Sequence, residues 1–309
     1  LKKIRAFLDS VALDILVLPG VLLILTFGYI PMVGIFLAFK KYRPAQGIWN
    51  SAWCGFDNFK ALFNSPDIWV ITRNTVLYNL AFIFLGMVIA LVFALLMNEL
   101  TSRKSIKFYQ TVAMMPHFLS YVIVAYILYT FLANSYGILN TSVLPKLGIK
   151  PISWYSESKY WPYIIFFVRE WKSVGYSSVL YFACISGINP EYYEAAVIDG
   201  ANRWQTLWKV TIPNVMPSIT ICTFLTLTNS FKLFDQNLAL TGGQPYIIQS
   251  DGSAIKTTEM LALNILNTFY GQNANSRGTA QAKAVLFFIL VASIGLLQLN
   301  SNRKKEVQQ

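Results

Sequence analysis

Apolar residues in this 309-residue chain fall neither at every second position nor on one helical stripe; they come in long runs. Six runs cover roughly residues 11–39, 74–97, 111–132, 160–183, 214–240 and 282–299. A helix crossing the hydrocarbon layer of a bilayer needs about 20 apolar residues, each rising about 1.5 Å. A transmembrane barrel would instead alternate over segments of about ten residues. The pattern predicts an all-α integral membrane protein: one domain over residues 1–309, six transmembrane helices, both ends on the same side. The first run exceeds one crossing, and Pro19 and Pro31 mark where it would kink.

The polar stretches between the runs differ in kind. Residues 40–72 are rich in aromatics that suit a membrane interface, and residues 133–159 carry Gly137, Pro145, Gly148 and Pro151, a turn-rich loop. The stretch Glu191–Pro213, EYYEAAVIDGANRWQTLWKVTIP, is charged in a chain that mostly is not. Asn189 is a good N-cap, Pro190 suits the first helical position, and Glu191 and Glu194 favour the first turn. Gly200 can adopt the angles of a bend. Beyond it, Trp204, Leu207 and Trp208 share a face, while Arg203 and Lys209 stay available to water. Two short helices bent at Gly200 are predicted, with Pro213 opening the next apolar run.

Composition sharpens this. Hydrophobic residues make up 55% and charged residues 13% of the chain, against about 25% charged in soluble domains. The net charge of +11 does not point to nucleic acid, because the basic residues are scattered over loops and span ends without an aromatic-interleaved stripe. Cys54, Cys184 and Cys222 have neither metal nor disulfide spacing. His117, the single histidine, follows Pro116 in an apolar run and reads as structural. No metal site is expected. The chain begins at Leu1 rather than Met, so sequence is expected before it, and the first run is too long for a cleavable signal.

Charges inside spans are the exception that needs a reason, since each costs at least about 2.5–3.5 kcal/mol near the bilayer centre. The fourth run carries Arg169, Glu170 and Lys172; the fifth carries Lys232 and Asp235. Lys232 and Asp235, three apart on one helix, could compensate each other. Arg169 and Lys172 share a face with like sign, so one needs a partner elsewhere. These charges read either as a polar path or as structural pairs.

The charged stretch resembles the EAA loop of ABC importer permeases. Glu194-Ala195-Ala196, Gly200 and Val210-Thr211-Ile212-Pro213 follow that family's spacing, with Val210 and Ile212 as conservative departures. Gly28–Pro44 and Trp53–Phe63 resemble the polysaccharide-type (LplB-like) branch of the carbohydrate-uptake permeases, the maltose-type family. Phe231–Pro245, FKLFDQNLALTGGQP, resembles its outer-end signature, with Gln244 where a third glycine is usual. Trp171 with Gly175, and Thr258–Tyr270, fit the same family.

The resemblance implies a type I ABC importer permease fold with a cytoplasmic EAA coupling loop over residues 189–213. Glu191, Glu194, Ala195, Ala196, Asp199, Gly200, Arg203 and Pro213 would meet a separate ATPase. Thr241, Gly242, Gly243 and Pro245 would form the outer-end turn. A sugar path mixes aromatics with polar groups, and Trp171, Lys172, Tyr176, Asn229, Phe234 and Asp235 are its candidates. The implied function is import of oligosaccharides by alternating access. The implied partners are a second homologous permease (a heterodimer), two cytoplasmic ATPase subunits and an extracytoplasmic sugar-binding protein. ATP and Mg would sit on the ATPases, leaving this chain without a bound cofactor and without catalysis of its own. The implied location is a bacterial cytoplasmic membrane with cytoplasmic termini. Basic residues divide evenly between the two sides, but the shorter cytoplasmic segments give the higher density there. An ion-coupled secondary sugar transporter and a membrane-embedded enzyme are the competing readings. Neither an internal repeat nor a carboxylate cluster apart from the EAA spacing supports them.

Overall fold

In the computed structural model, the described part of the chain is mostly helical. Described residues are 14–63, 65, 67–231, 234–248, 254–271 and 275–306. Helix α1 (Asp14–Phe39) relaxes into a π turn at Leu25–Tyr29 and 3-10 geometry from Ile30, next to Pro31. Strands β1 (Lys40–Lys41) and β2 (Ala52–Trp53) enclose α2 (Gly47–Asn50), and α3 (Asp57–Phe63) follows. Next come α4 (Asp67–Asn98), α5 (Arg103–Phe118), α6 (Tyr121–Leu132), α7 (Trp161–Ser186), α8 (Pro190–Ile198), α9 (Arg203–Thr206) and α10 (Ile212–Ser230). The chain continues through α11 (Asp235–Leu240), the hairpin β3 (Tyr246–Ile248) and β4 (Ala254–Lys256), α12 (Leu261–Phe269) and α13 (Ser276–Glu306).

Among the described residues, three helices are long and apolar enough to cross a membrane: Asp14–Phe39, Ile68–Asn98 and Ser276–Leu296. A fourth crossing results if α5 and α6, bent by 96°, count as one. Helix α7 has 26 residues but carries Arg169, Glu170 and Lys172. Helix α10 has 19 and is diluted by Pro213, Asn214, Pro217 and its threonines. Two apolar runs are thus broken where hydropathy gives no sign of it. The run 111–132 bends at Leu119–Ser120, whose extended backbone lets Ser120 cap α6 by accepting from the Ile123 amide at 3.3 Å. Helix α10 ends at Ser230 and Asp235 opens a helix of its own. The expected Lys232–Asp235 pair on one helix is therefore not formed by a continuous span, and Lys232 itself lies outside the described residues.

The chain divides into two compact units. In the first, Leu1–Ser65 with Ile265–Phe288, α1 is apolar and mostly exposed, burying only Leu37 and Ala38 among its described residues. Such a helix needs lipid or a partner around it. Buried Asn58 fastens the segment after α1, donating to the Ala38 and Lys40 carbonyls at 2.8 and 3.1 Å and accepting from Asn275 at 2.6 Å.

The second unit, Pro66–Asn264 with Ile289–Gln309, is organised on α7. Its buried positions Trp161, Ile165, Val168, Lys172, Gly175 and Ser178 follow three- and four-residue spacing. Towards its start, Trp161, Ile165 and Val168 pack with Phe82, Val124 and Leu240. Towards its end, Tyr181 and Ile185 pack with Ala90, Ala94, Val215 and Ile219. Gly175 lets α7 touch α5: a Cβ there would collide with the Ala113 carbonyl.

Replacing Gly175 with Ala should therefore overpack the α5–α7 contact, at a cost of about 1–3 kcal/mol, and lower the midpoint of heat-induced unfolding in detergent. Gly20→Ala, where a Cβ meets nothing within 4 Å, should not lower it.

Candidate functional site

The acidic stretch folds as a helix, a closed turn and a second helix. Asn189 caps α8, its side chain accepting from the Glu191 amide at 3.1 Å. The helix ends in a Schellman turn: the Ala201 amide reaches back to the Ala196 carbonyl at 2.9 Å, and the Gly200 amide to Val197 at 3.0 Å. That closure requires the left-handed conformation Gly200 adopts, φ +74°. A reciprocal capping box, Asn202 with Gln205, opens α9. A π turn at Leu207–Thr211 then joins α9 to α10, so the second short helix runs on past Pro213 rather than stopping at it.

Only Ala196 of α8 is buried. Glu191, Glu194, Ala195, Asp199 and Pro213 are exposed. Arg203 makes a surface ion pair with Glu99 at 3.8 Å, a contact of little energetic weight at that exposure. Large apolar side chains point outward beside these charges: Tyr192, Val197, Ile198, Trp204 and Trp208, with Ile198 at 85% exposure. A soluble monomer seldom leaves such a cluster uncovered.

Along α7, between the two apolar clusters, lies a cavity of about 880 Å³ walled by α4, the α5–α6 bend, α7, α10 and α11. Of the sequence candidates, Lys172, Tyr176 and Asp235 line it; Trp171 and Phe234 do not. The Asn229 side chain is outside the described set. Tyr176 stacks on His117 at 4.7 Å and 11°, and both rings face the cavity. His117, read from sequence as structural, is thus part of the wall.

Lys172 is buried and directs its ammonium to the end of α5, donating to the carbonyls of Pro116 (2.9 Å), His117 (3.3 Å) and Leu119. The same ammonium lies 4.9 Å from the Tyr121 ring centroid. It thereby receives the partner that its like-charged neighbour Arg169 cannot provide. Arg169 and Glu170 also line the cavity; the sequence reading grouped them with the in-span charges of a polar path but not with the six sugar-path candidates. The Arg169 guanidinium sits 5.7 Å from the Phe82 centroid. The Glu170 carboxylate lies against Gly86, where a Cβ would come within 2.5 Å of Oε2. Their positions beside Lys172, Ser173 and Tyr176 were the available signal, because residues three and four apart share a helix face.

At the end of the outer-end signature, Thr241, Gly242, Gly243 and Pro245 do not line this cavity and form a knot. Thr241 Oγ1 meets Thr258 Oγ1 at 2.7 Å and accepts from the Gly243 amide at 3.1 Å. Gly242 and Gly243 take φ +62° and +96°, and the Pro245 carbonyl accepts from the Thr257 amide at 2.9 Å. The knot fastens the β3–β4 hairpin to the end of α11.

Long apolar helices, a cavity with charged side chains in its wall and a capped, outward-facing helix pair between two helices suit a transport component. The chain belongs to the family of binding-protein-dependent transport system inner membrane components, whose sequence profile matches residues 83–307. As a member it is a permease-type ABC transporter subunit and not an enzyme. It is similar to protein LplB of Bacillus subtilis, 34% identical over 230 residues, which span 74% of this chain and 72% of that protein. A probable starch degradation products transport system permease protein, AmyD of Thermoanaerobacterium thermosulfurigenes, is 31% identical over 313 residues, covering 99% of each. In structure it resembles a chain of a bacterial ABC transporter involved in the import of the acidic polysaccharide alginate. That likeness has a TM-score of 0.82 and 28% identity, covering 98% of this chain and 99% of the other. The fold is that of type I ABC importer permeases.

Gly200→Ala forces a side chain into the left-handed region at roughly 1–2 kcal/mol. Amide exchange at positions 200 and 201 should then accelerate about tenfold while the amides of α7 keep their rates. Unchanged exchange at Ala201 would contradict the turn's dependence on that glycine.

Proposed function

We propose that this chain is one half of the translocation pore of an ATP-driven oligosaccharide importer. In this reading it crosses the bilayer six times with cytoplasmic termini. The bent helix pair over residues 189–213 faces the cytoplasm and docks in an ATPase subunit. The other half of the pore is a homologous but different permease. ATP and Mg reside on two ATPase subunits, and an extracytoplasmic binding protein delivers the sugar.

The observation that carries the reading is the helix pair itself. It is held rigid by a cap, a Schellman turn and a capping box, and it exposes Tyr192, Val197 and Ile198 beside Glu191 and Glu194. A rigid apolar knob with an acidic rim suits a protein cleft and is costly to leave in water. Its residues also follow the spacing of the EAA loop. The relatives' names favour sugars, and a related importer is described in complex with an oligosaccharide-bound periplasmic protein, alginate pentasaccharide being the ligand there.

The cycle would be alternating access. Closure of the ATPases on ATP pushes the helix pairs inward and opens the pore outward, sugar enters from the binding protein, and hydrolysis returns the pore to the inward-open state. Tyr176, His117 and Asp235 offer what a sugar needs along the way, flat apolar faces for its C–H surface and a carboxylate for its hydroxyls. An ion-coupled transporter would work without any ATPase.

Affinity purification of the chain from its native membrane should recover an ABC ATPase. Glu194→Lys, which reverses the charge at the rim, and Gly200→Pro, which breaks the turn, should each reduce recovery at least about tenfold while the permease stays in the membrane. Sugar uptake with no associated ATPase would favour the ion-coupled reading.

A further inference from the structure

Three charged side chains of α7 line the cavity, Arg169, Glu170 and Lys172. Two of the three carbonyls that Lys172 holds, those of His117 and Leu119, belong to residues of the cavity wall. We infer that Lys172 is the linchpin that transmits movement of the 189–213 helix pair to the wall of the cavity. This inference rests on the proposal that the helix pair receives the ATPase stroke.

The geometry runs as one connected chain. Helix α8 follows α7 after only Gly187, Ile188 and Asn189, and the amides of Gly187 and Ile188 are bonded back to Ala183 and Ile185 at 3.1 and 3.2 Å. A displacement of α8 therefore acts on α7 through a short, hydrogen-bonded joint. Lys172 stands 14 residues before Ser186, about 21 Å along a stiff helix. There its ammonium grips three carbonyls at the end of α5, those of Pro116, His117 and the C-cap Leu119, just before the bend. His117, Leu119, Ser120, Tyr121 and Val122, the residues of that bend, all line the cavity.

Carbonyls at a helix end have no intrahelical donor of their own, and the buried Lys172 ammonium supplies one to those of His117 and Leu119. Helix α7 cannot move away from the bend without leaving that buried cation without its acceptors. The bend should follow α7, and the cavity wall should move with it. Lys172 then acts on the sugar path by positioning its wall and not by touching sugar, which distinguishes it from Tyr176 and Asp235. Gly175, one turn further along the same face, keeps α5 within reach of the grip by admitting the Ala113 carbonyl.

The test uses the complete importer in lipid nanodiscs, with Cys54, Cys184 and Cys222 replaced by Ser and Ser120→Cys as reporter. Its labelling rate with a small charged thiol reagent is measured with and without trapped ATP, together with ATP hydrolysis. With Lys172 present, nucleotide should change the rate at least about fivefold. Lys172→Met should abolish that change while leaving ATP hydrolysis, and Lys172→Arg, which still donates to carbonyls, should restore it. If Lys172→Met does not assemble, Lys172→Gln, which keeps a donor but loses the charge, should still blunt the change. A full nucleotide response in Lys172→Met, or in Lys172→Gln where that variant is used, would overturn the inference. No nucleotide response with Lys172 intact, or no ATPase in the complex, would instead sink the coupling proposal beneath it.

Discussion

A helix that breaks leaves its last carbonyls without intrahelical donors, and the structure turns on how that constraint is met. At the end of α5 it is met by an ammonium from α7. The His117 and Leu119 carbonyls accept from Lys172, as does the Pro116 carbonyl, which also accepts from the Leu119 amide. Lys172 is buried, and its ammonium would be costly there without these acceptors. The bend this permits gives the cavity a wall of loop-like residues that a straight helix would not offer.

Much of the second unit follows from the same helix. Helix α7 places apolar residues at both ends of its buried stripe and polar ones in the middle, so the cavity opens between two packed clusters. Glycines set the approach of its neighbours: Gly86 of α4 lies against the Glu170 carboxylate, and Gly175 against the Ala113 carbonyl. The helix then leads, through three residues, into the capped pair that is proposed to meet the ATPase. The cavity, at the middle of α7, and the helix pair, beyond its end, are thus joined by one continuous helix.

The helical membrane character and the loop were legible because their causes are local. Continuous apolar runs declare spans; Asn189, Pro190 and Gly200 declare a cap, a first turn and a left-handed closure. The break inside the third run was less visible, because hydropathy continues through Leu119 and Val122. Pro116 and Ser120 were the only signs. The role of Lys172 was hidden for a deeper reason: its partners are backbone carbonyls, which leave no residue type to recognise. Trp171 looked like a sugar contact by residue type, but it is absent from the cavity wall that its neighbours Glu170 and Lys172 help to form. The pairing of Lys232 with Asp235 assumed a continuous helix, whereas Asp235 starts a new one.

The central claim is that the bent pair between α7 and α10 is seated in a cytoplasmic ATPase. A photo-crosslinking residue in place of Ile198, the most exposed apolar position of that pair, tests it in intact cells. Illumination should yield one major adduct, and mass spectrometry should identify its second component as an ABC ATPase. An adduct formed only with an extracytoplasmic protein, or with lipid alone, would contradict it.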